Sequence, residues 1–125
     1  MNEKRACLYM RVASRNQSGL ALLSQEEKLK TYCKENGLKV TDIYKVPASG
    51  SNLPPFLIQI AQKTESKEFD ILLCTSVSWL GRNINDVMKF CRKLRQTGCS
   101  LYCLNDGTTL DNLLDFYKAP EPDQA

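Results

Sequence analysis

Cys7-Leu8-Tyr9-Met10-Arg11-Val12-Ala13-Ser14-Arg15-Asn16-Gln17 begins as an apolar run and ends in polar residues. Residues 6–12 read as a strand, apolar with Tyr and Val. Arg11 sits inside that run, where an unpaired charge is costly, so it needs a partner or a task. The sequence Arg-x-x-Ser-x-x-Gln then sets a charge, a hydroxyl and an amide at one strand tip. In an open α/β sheet, strand C-termini are where ligands bind. Residue types alone favour the plainer reading, a first core strand whose Arg11 pairs with a carboxylate.

Working outward, strands and helices alternate. A helical pattern over 20–35 puts Leu22, Leu23, Leu29, Tyr32 and Cys33 on one broad face, with Gln25, Glu26, Lys28 and Lys30 largely off it. Asn36-Gly37 ends it. Residues 38–45 alternate Leu38, Val40, Asp42 and Tyr44 against Lys39, Thr41, Ile43 and Lys45, a second strand near a sheet edge. A loop dense in turn formers runs to Pro54-Pro55, where a helix over 56–64 begins, carrying Phe56, Leu57, Ile60 and Ala61. Residues 69–75 form a continuous apolar strand of the kind buried on both faces of a parallel sheet.

The clearest helix spans 84–96, with Val87, Met88, Cys91, Leu94 and Arg95 on one face and Thr97-Gly98 ending it. A fourth strand covers 99–104, Asn105-Asp106-Gly107 is a turn, and Thr108 or Thr109 caps a last short helix over 110–117. This order predicts one α/β domain over 1–117. It is an open, mainly parallel sheet of four strands or slightly more, with helices on both faces. Residues 118–125 are expected to fray as a tail. All strand ends then point one way, so Ser14, Ser49 after the second strand and Arg82 after the third share a rim.

Composition sets limits. A charge of +3 is too weak to argue for nucleic acid by itself. The absence of histidine removes the commonest general base and zinc ligand. Cys7, Cys33, Cys74, Cys91, Cys99 and Cys103 form no CxxC pair and follow no signal peptide, which predicts reduced thiols in a cytoplasmic protein. No apolar run reaches the length of a membrane span.

Phosphate loops of the GxGxxG and GxxxxGK[ST] types are absent. Arg82 just before a helix N-terminus suits an anion, though such an arginine is more often solvated. Trp79 reads as a loop anchor. Lys89, Arg92, Lys93 and Arg95 read as a solvated basic face, with DNA backbone contact the minority alternative.

In order and spacing, these pieces resemble the catalytic domain of the serine recombinases, the resolvase and invertase family. Tyr9-Met10-Arg11-Val12-Ala13-Ser14-Arg15-Asn16-Gln17 parallels its opening strand. Gln25 and Tyr32-Cys33-Lys34-Glu35-Asn36-Gly37 parallel its first helix. Ser49-Gly50-Ser51-Asn52-Leu53 parallels its second loop, and Leu80-Gly81-Arg82-Asn83 the exit of its third strand. The Asp106-Gly107 turn closes a likeness spanning about residues 6–116. The resemblance implies a serine that attacks a DNA phosphodiester, a covalent phosphoserine link, arginines that neutralise the phosphate, and strand exchange within a tetramer. It implies no cofactor and no ATP. DNA, a homodimer or tetramer, and an intact recombinase are the partners it suggests. Arg11 and Arg82 would hold phosphate, with Gln17 and Ser49 behind them.

The departures fall on the chemistry. Ala13 stands where the family has its nucleophile, Pro54-Pro55 where it has an Asp-Arg-Pro step one residue longer, and Ser78-Trp79 where it has Asp-Arg. Ser14 is the remaining hydroxyl. One residue along an extended strand points it to the opposite face unless the chain bends. The residues therefore favour an impaired or inactive recombinase domain, a remnant of a mobile element or a fragment of a longer protein, over an active one. In the family a long helix and a separate DNA-binding domain follow, and residues 110–117 would be the first turns of that helix. The rival reading is a non-enzymatic interaction module derived from the same fold. A cysteine-based hydrolase fails, because no cysteine follows a strand in a phosphate-cradling loop.

Overall fold

Strand β1 (Lys4–Arg11) buries Ala6 through Met10 completely. A strand buried on both faces must lie inside the sheet, and the ladder order β2-β1-β3-β4-β5 places it there. The computed structural model describes residues 4–11, 18–46, 55–76, 80 and 84–116. In chain order β1 is followed by α1 (Ser18–Glu35), β2 (Leu38–Val46), α2 (Pro55–Glu65), β3 (Ile71–Cys74), α3 (Ile84–Thr97), β4 (Ser100–Cys103), β5 (Thr108–Thr109) and α4 (Leu110–Phe116). The pairs β1–β2, β1–β3 and β3–β4 are parallel, and β4–β5 is antiparallel. The sheet is thus mainly parallel with helices on both faces. The expected tail and the end of the expected domain lie outside the described residues.

Alternation along the central strands divides the core into two layers. Ala6, Leu8, Met10 and Leu73 face Leu29 and Cys33 of α1. Cys7, Tyr9, Leu72, Cys74, Leu101 and Cys103 face α2, α3 and α4 through Leu57, Ile60, Val87, Phe90, Cys91, Leu94, Leu110 and Leu113. Burying each large apolar side chain is worth about 1.5–3 kcal/mol, so among the described residues the larger second layer supplies most of the stabilisation.

Strand β2 is an edge, as its alternation predicts. Its register against β1 slips between Ala6 and Cys7, which leaves Thr41 as the extra residue. This bulge switches the sides: Val40 packs towards α1, whereas Asp42 and Tyr44 meet Lys63 of α2. Lys45, now on the α1 side, pairs with Glu26 at 2.8 Å.

Several sequence expectations need correction. Strand β3 is shorter than the apolar run, because its ladder partners end at Cys74. Leu23, expected on the packed face of α1, is 54% exposed, and Gln25, expected off it, is half-buried. On α3, Phe90 is buried and Arg95 is not. The turn after β4 leads into a two-residue antiparallel strand that no local pattern announced. Thr109 caps α4 as expected: its hydroxyl accepts the Asn112 N–H, and the Asn112 amide oxygen accepts the Thr109 N–H, both at 3.2 Å. Gly98, at φ +81°, ends α3 in the left-handed region. Among the described residues no helix is long and apolar enough to cross a membrane.

Candidate functional site

The strand order 2-1-3-4-5 reverses direction of growth between β1 and β3. Sheets of this order bind ligands in the crevice that opens there, at the C-terminal ends of the two strands. The ladder between β1 and β3 covers Ala6, Cys7 and Leu8 and ends at Leu8↔Leu73. Beyond it the two strands separate, and polar side chains take over.

Arg11 is the last residue of β1 and is only 8% exposed. Alternation along β1 puts its side chain on the same face as Tyr9, and its positive charge acts on the Tyr9 phenol. Burial pushes that phenol well above its usual range, against the opposing pull of Arg11. Tyr9 is therefore a neutral phenol at any physiological pH.

On the α1 side, Gln25 fills the gap. Its Nε2 donates to the Arg11 carbonyl at 2.7 Å, and its Oε1 accepts the Arg11 N–H at 3.3 Å. The carboxamide thus replaces the missing rung of a neighbouring strand. The same Oε1 accepts the Thr75 hydroxyl at 3.2 Å, just past the end of β3. Thr75 is 2% exposed, and its carbonyl accepts the Asn105 N–H at 2.7 Å. At the opposite end of the same strand pair, Asp70 accepts the Arg5 backbone N–H at 2.8 Å, and its carboxyl is held below the usual range by hydrogen bonds from Arg5.

Of the residues expected at the site, Arg11 is placed at the crevice. Ser14, Gln17, Ser49 and Arg82 lie outside the described residues, as do Ala13, Pro54, Ser78 and Trp79. Helix α3 does begin at Ile84, directly after the segment carrying Arg82, and Leu80 is fully buried in the α2–α3 layer. Gln25 was visible in the sequence as a matched position, without a task. Thr75 gave no sign of one, since its partner is distant in the chain. Two members of the basic stripe on α3 are paired: Lys93 with Glu65 of α2, and Arg95 with Asp111 of α4.

None of the cysteines supplies a nucleophile here. All six are buried. Cys74 and Cys103, register partners on β3 and β4, bring their sulfurs to 3.2 Å. Burial pushes the Cys91 and Cys99 thiols up to about 12, so the reactive thiolate is scarce.

The family model of the resolvase N-terminal domain matches residues 6–118, nearly the whole chain. The chain belongs to this family. It is similar to the N-terminal catalytic domain of TP901-1 integrase, with 24% identity and a TM-score of 0.77 over 92% of this chain and 95% of that one. A resolvase family site-specific recombinase from Streptococcus pneumoniae gives 22% identity and 0.75, over 93% and 87%. The C-terminal catalytic domain of ISC1926 TnpA, an IS607-like serine recombinase, gives 26% and 0.71, over 80% and 67%. No curated protein matches the sequence. The resolvase-type fold and the recombinase catalytic-domain type of this chain rest on these likenesses.

Proposed function

We propose that this resolvase-family chain uses the β1–β3 crevice to hold a DNA phosphodiester, with strand-cleaving chemistry impaired or lost. The observation that carries the reading is Arg11, a nearly buried guanidinium at the strand tip of the switch point. Desolvated there, a guanidinium interacts with a phosphate more strongly than it would in water and matches its geometry. Arg82, arriving just before the N-terminus of α3, is the second candidate anion contact, with Gln17 and Ser49 as supporting groups.

The loss of chemistry is read from Ala13, which has no nucleophilic atom, and from the missing arginines and Asp at 54–55 and 78–79. Each lost arginine donor is worth about 3 kcal/mol in a transition state. Ser14 is the alternative nucleophile: its Oγ would attack phosphorus, displace the deoxyribose oxygen and form a phosphoserine ester. A chain that binds phosphate without cleaving would act by assembling with a second copy or an intact recombinase. Buried, unbridged thiols fit a reducing compartment such as the cytoplasm.

The test is incubation of the full chain with nicked duplex DNA, followed by a denaturing gel, beside phosphate titrations of the parent and Arg11→Met. The reading expects no denaturant-resistant protein–DNA link and loss of phosphate binding in Arg11→Met. A covalent link that disappears in Ser14→Ala overturns the impairment, and unchanged binding by Arg11→Met overturns the site.

A further inference from the structure

We propose that Thr75 is a positioning residue for this crevice, fixing the Gln25 carboxamide so that Gln25 can hold the strand tip bearing Arg11. The inference rests on the phosphate-holding role of Arg11 and adds a residue to it.

Gln25 must satisfy two backbone groups of Arg11 at once, and only one orientation of its carboxamide does so. A glutamine side chain has three rotatable bonds, so that orientation needs a restraint. Its Oε1 has two acceptor sites. One takes the Arg11 N–H and the other takes the Thr75 hydroxyl. Threonine suits the task because branching at Cβ restricts its χ1, so the hydroxyl direction is set by the backbone. That backbone is itself pinned, since the Thr75 carbonyl accepts the N–H of Asn105 beyond β4. A continuous run of hydrogen bonds therefore leads from the exit of β4, through Thr75 and Gln25, to Arg11. It ties β4, β3, α1 and β1 together where the strands separate. A threonine serving packing alone would need its shape and not its hydroxyl.

That distinction sets the experiment. Inorganic phosphate is titrated into the 15N-labelled full chain as parent, Thr75→Val, Thr75→Ser and Arg11→Met, following the Arg11 and Gln25 side-chain resonances. The valine variant keeps the shape and removes the donor. It is expected to bind phosphate about threefold to tenfold more weakly, the worth of one neutral hydrogen bond, and to broaden or move the Gln25 carboxamide signals. Thr75→Ser is expected to return both to within about twofold of the parent. Parent-like phosphate affinity and Gln25 signals in Thr75→Val, with binding abolished in Arg11→Met, overturn the positioning role and leave the site standing. Binding that survives Arg11→Met overturns the site itself. Should Thr75→Val fail to fold, the parent decides: Arg11, Gln25 and Thr75 must shift with one apparent Kd, and an Arg11 response without the other two contradicts the proposal.

Discussion

The two seams that flank β3 are built differently. Towards β4 the ladder continues to Cys74↔Cys103 and is prolonged by the Leu104 N–H on the Cys74 carbonyl at 2.9 Å. The space on one side of that seam is filled with thiols. Towards β1 the ladder stops at Leu8↔Leu73, and beyond it a carboxamide and a hydroxyl bridge the strand ends beside the Arg11 backbone. Burying polar groups is costly unless each is bonded, and here the bonding is specific. The closed seam maintains the fold. The open one, at the switch point, gathers bonded polar groups at the strand tips.

Breaking the closed seam should have the largest effect on stability. Leu72→Ala, fully buried between Cys7 and Leu101, is expected to lower unfolding free energy by about 3–5 kcal/mol in urea denaturation. The folded fraction should bind phosphate as before; a selective loss of binding would blur the division between the seams.

In the open seam, Gln25→Leu removes three hydrogen bonds and leaves the Arg11 N–H and C=O without that partner. A loss of about 2–4 kcal/mol is expected, smaller than for Leu72→Ala but accompanied by weaker phosphate binding. A stability change with unaltered binding would reduce Gln25 to a structural rung.

The thiols sharpen the same contrast through alkaline pH. Cys91 and Cys99 are held protonated by burial, at about 12 against 9.0. Between those values the unfolded chain binds fewer protons than the folded one, so stability is complete below pH 9 and falls as pH rises. Each group contributes up to about 1.4 kcal/mol per pH unit. Cys99→Ala should flatten that decline in urea midpoints measured over the range; an unchanged slope would contradict a buried thiol there.

The smallest effect is expected at the far end of the open pair. Asp70, lowered by its bonds from Arg5, stabilises above the ordinary carboxylate range and loses that contribution as pH falls through its depressed value. Its ion pair is about 40% exposed, so Asp70→Asn should cost under about 1 kcal/mol near neutrality, with the difference from the parent vanishing in acid.

Periodicity made much of this architecture legible. The run ending at Arg11, the alternation of β2, the apolar face of α3 and the cap at Thr109 all follow from local spacing. Strand β5 is too short to leave a pattern, and the Thr41 bulge keeps even-numbered residues half-buried while exchanging the layer they meet. Arg95 was misplaced because spacing alone cannot distinguish a face that packs from one that meets an acid on α4. The Gln25–Thr75 bond joins residues 50 apart, and only the divergence of β1 and β3 brings it about.

The most direct test of the crevice is a crystal structure of the full chain grown with phosphate. The account predicts an anion at the mouth of the β1–β3 opening, hydrogen-bonded to the Arg11 guanidinium, with the Gln25–Thr75 bond intact behind it. An anion bound elsewhere, or Arg11 tied to a carboxylate with no anion at the opening, would contradict it.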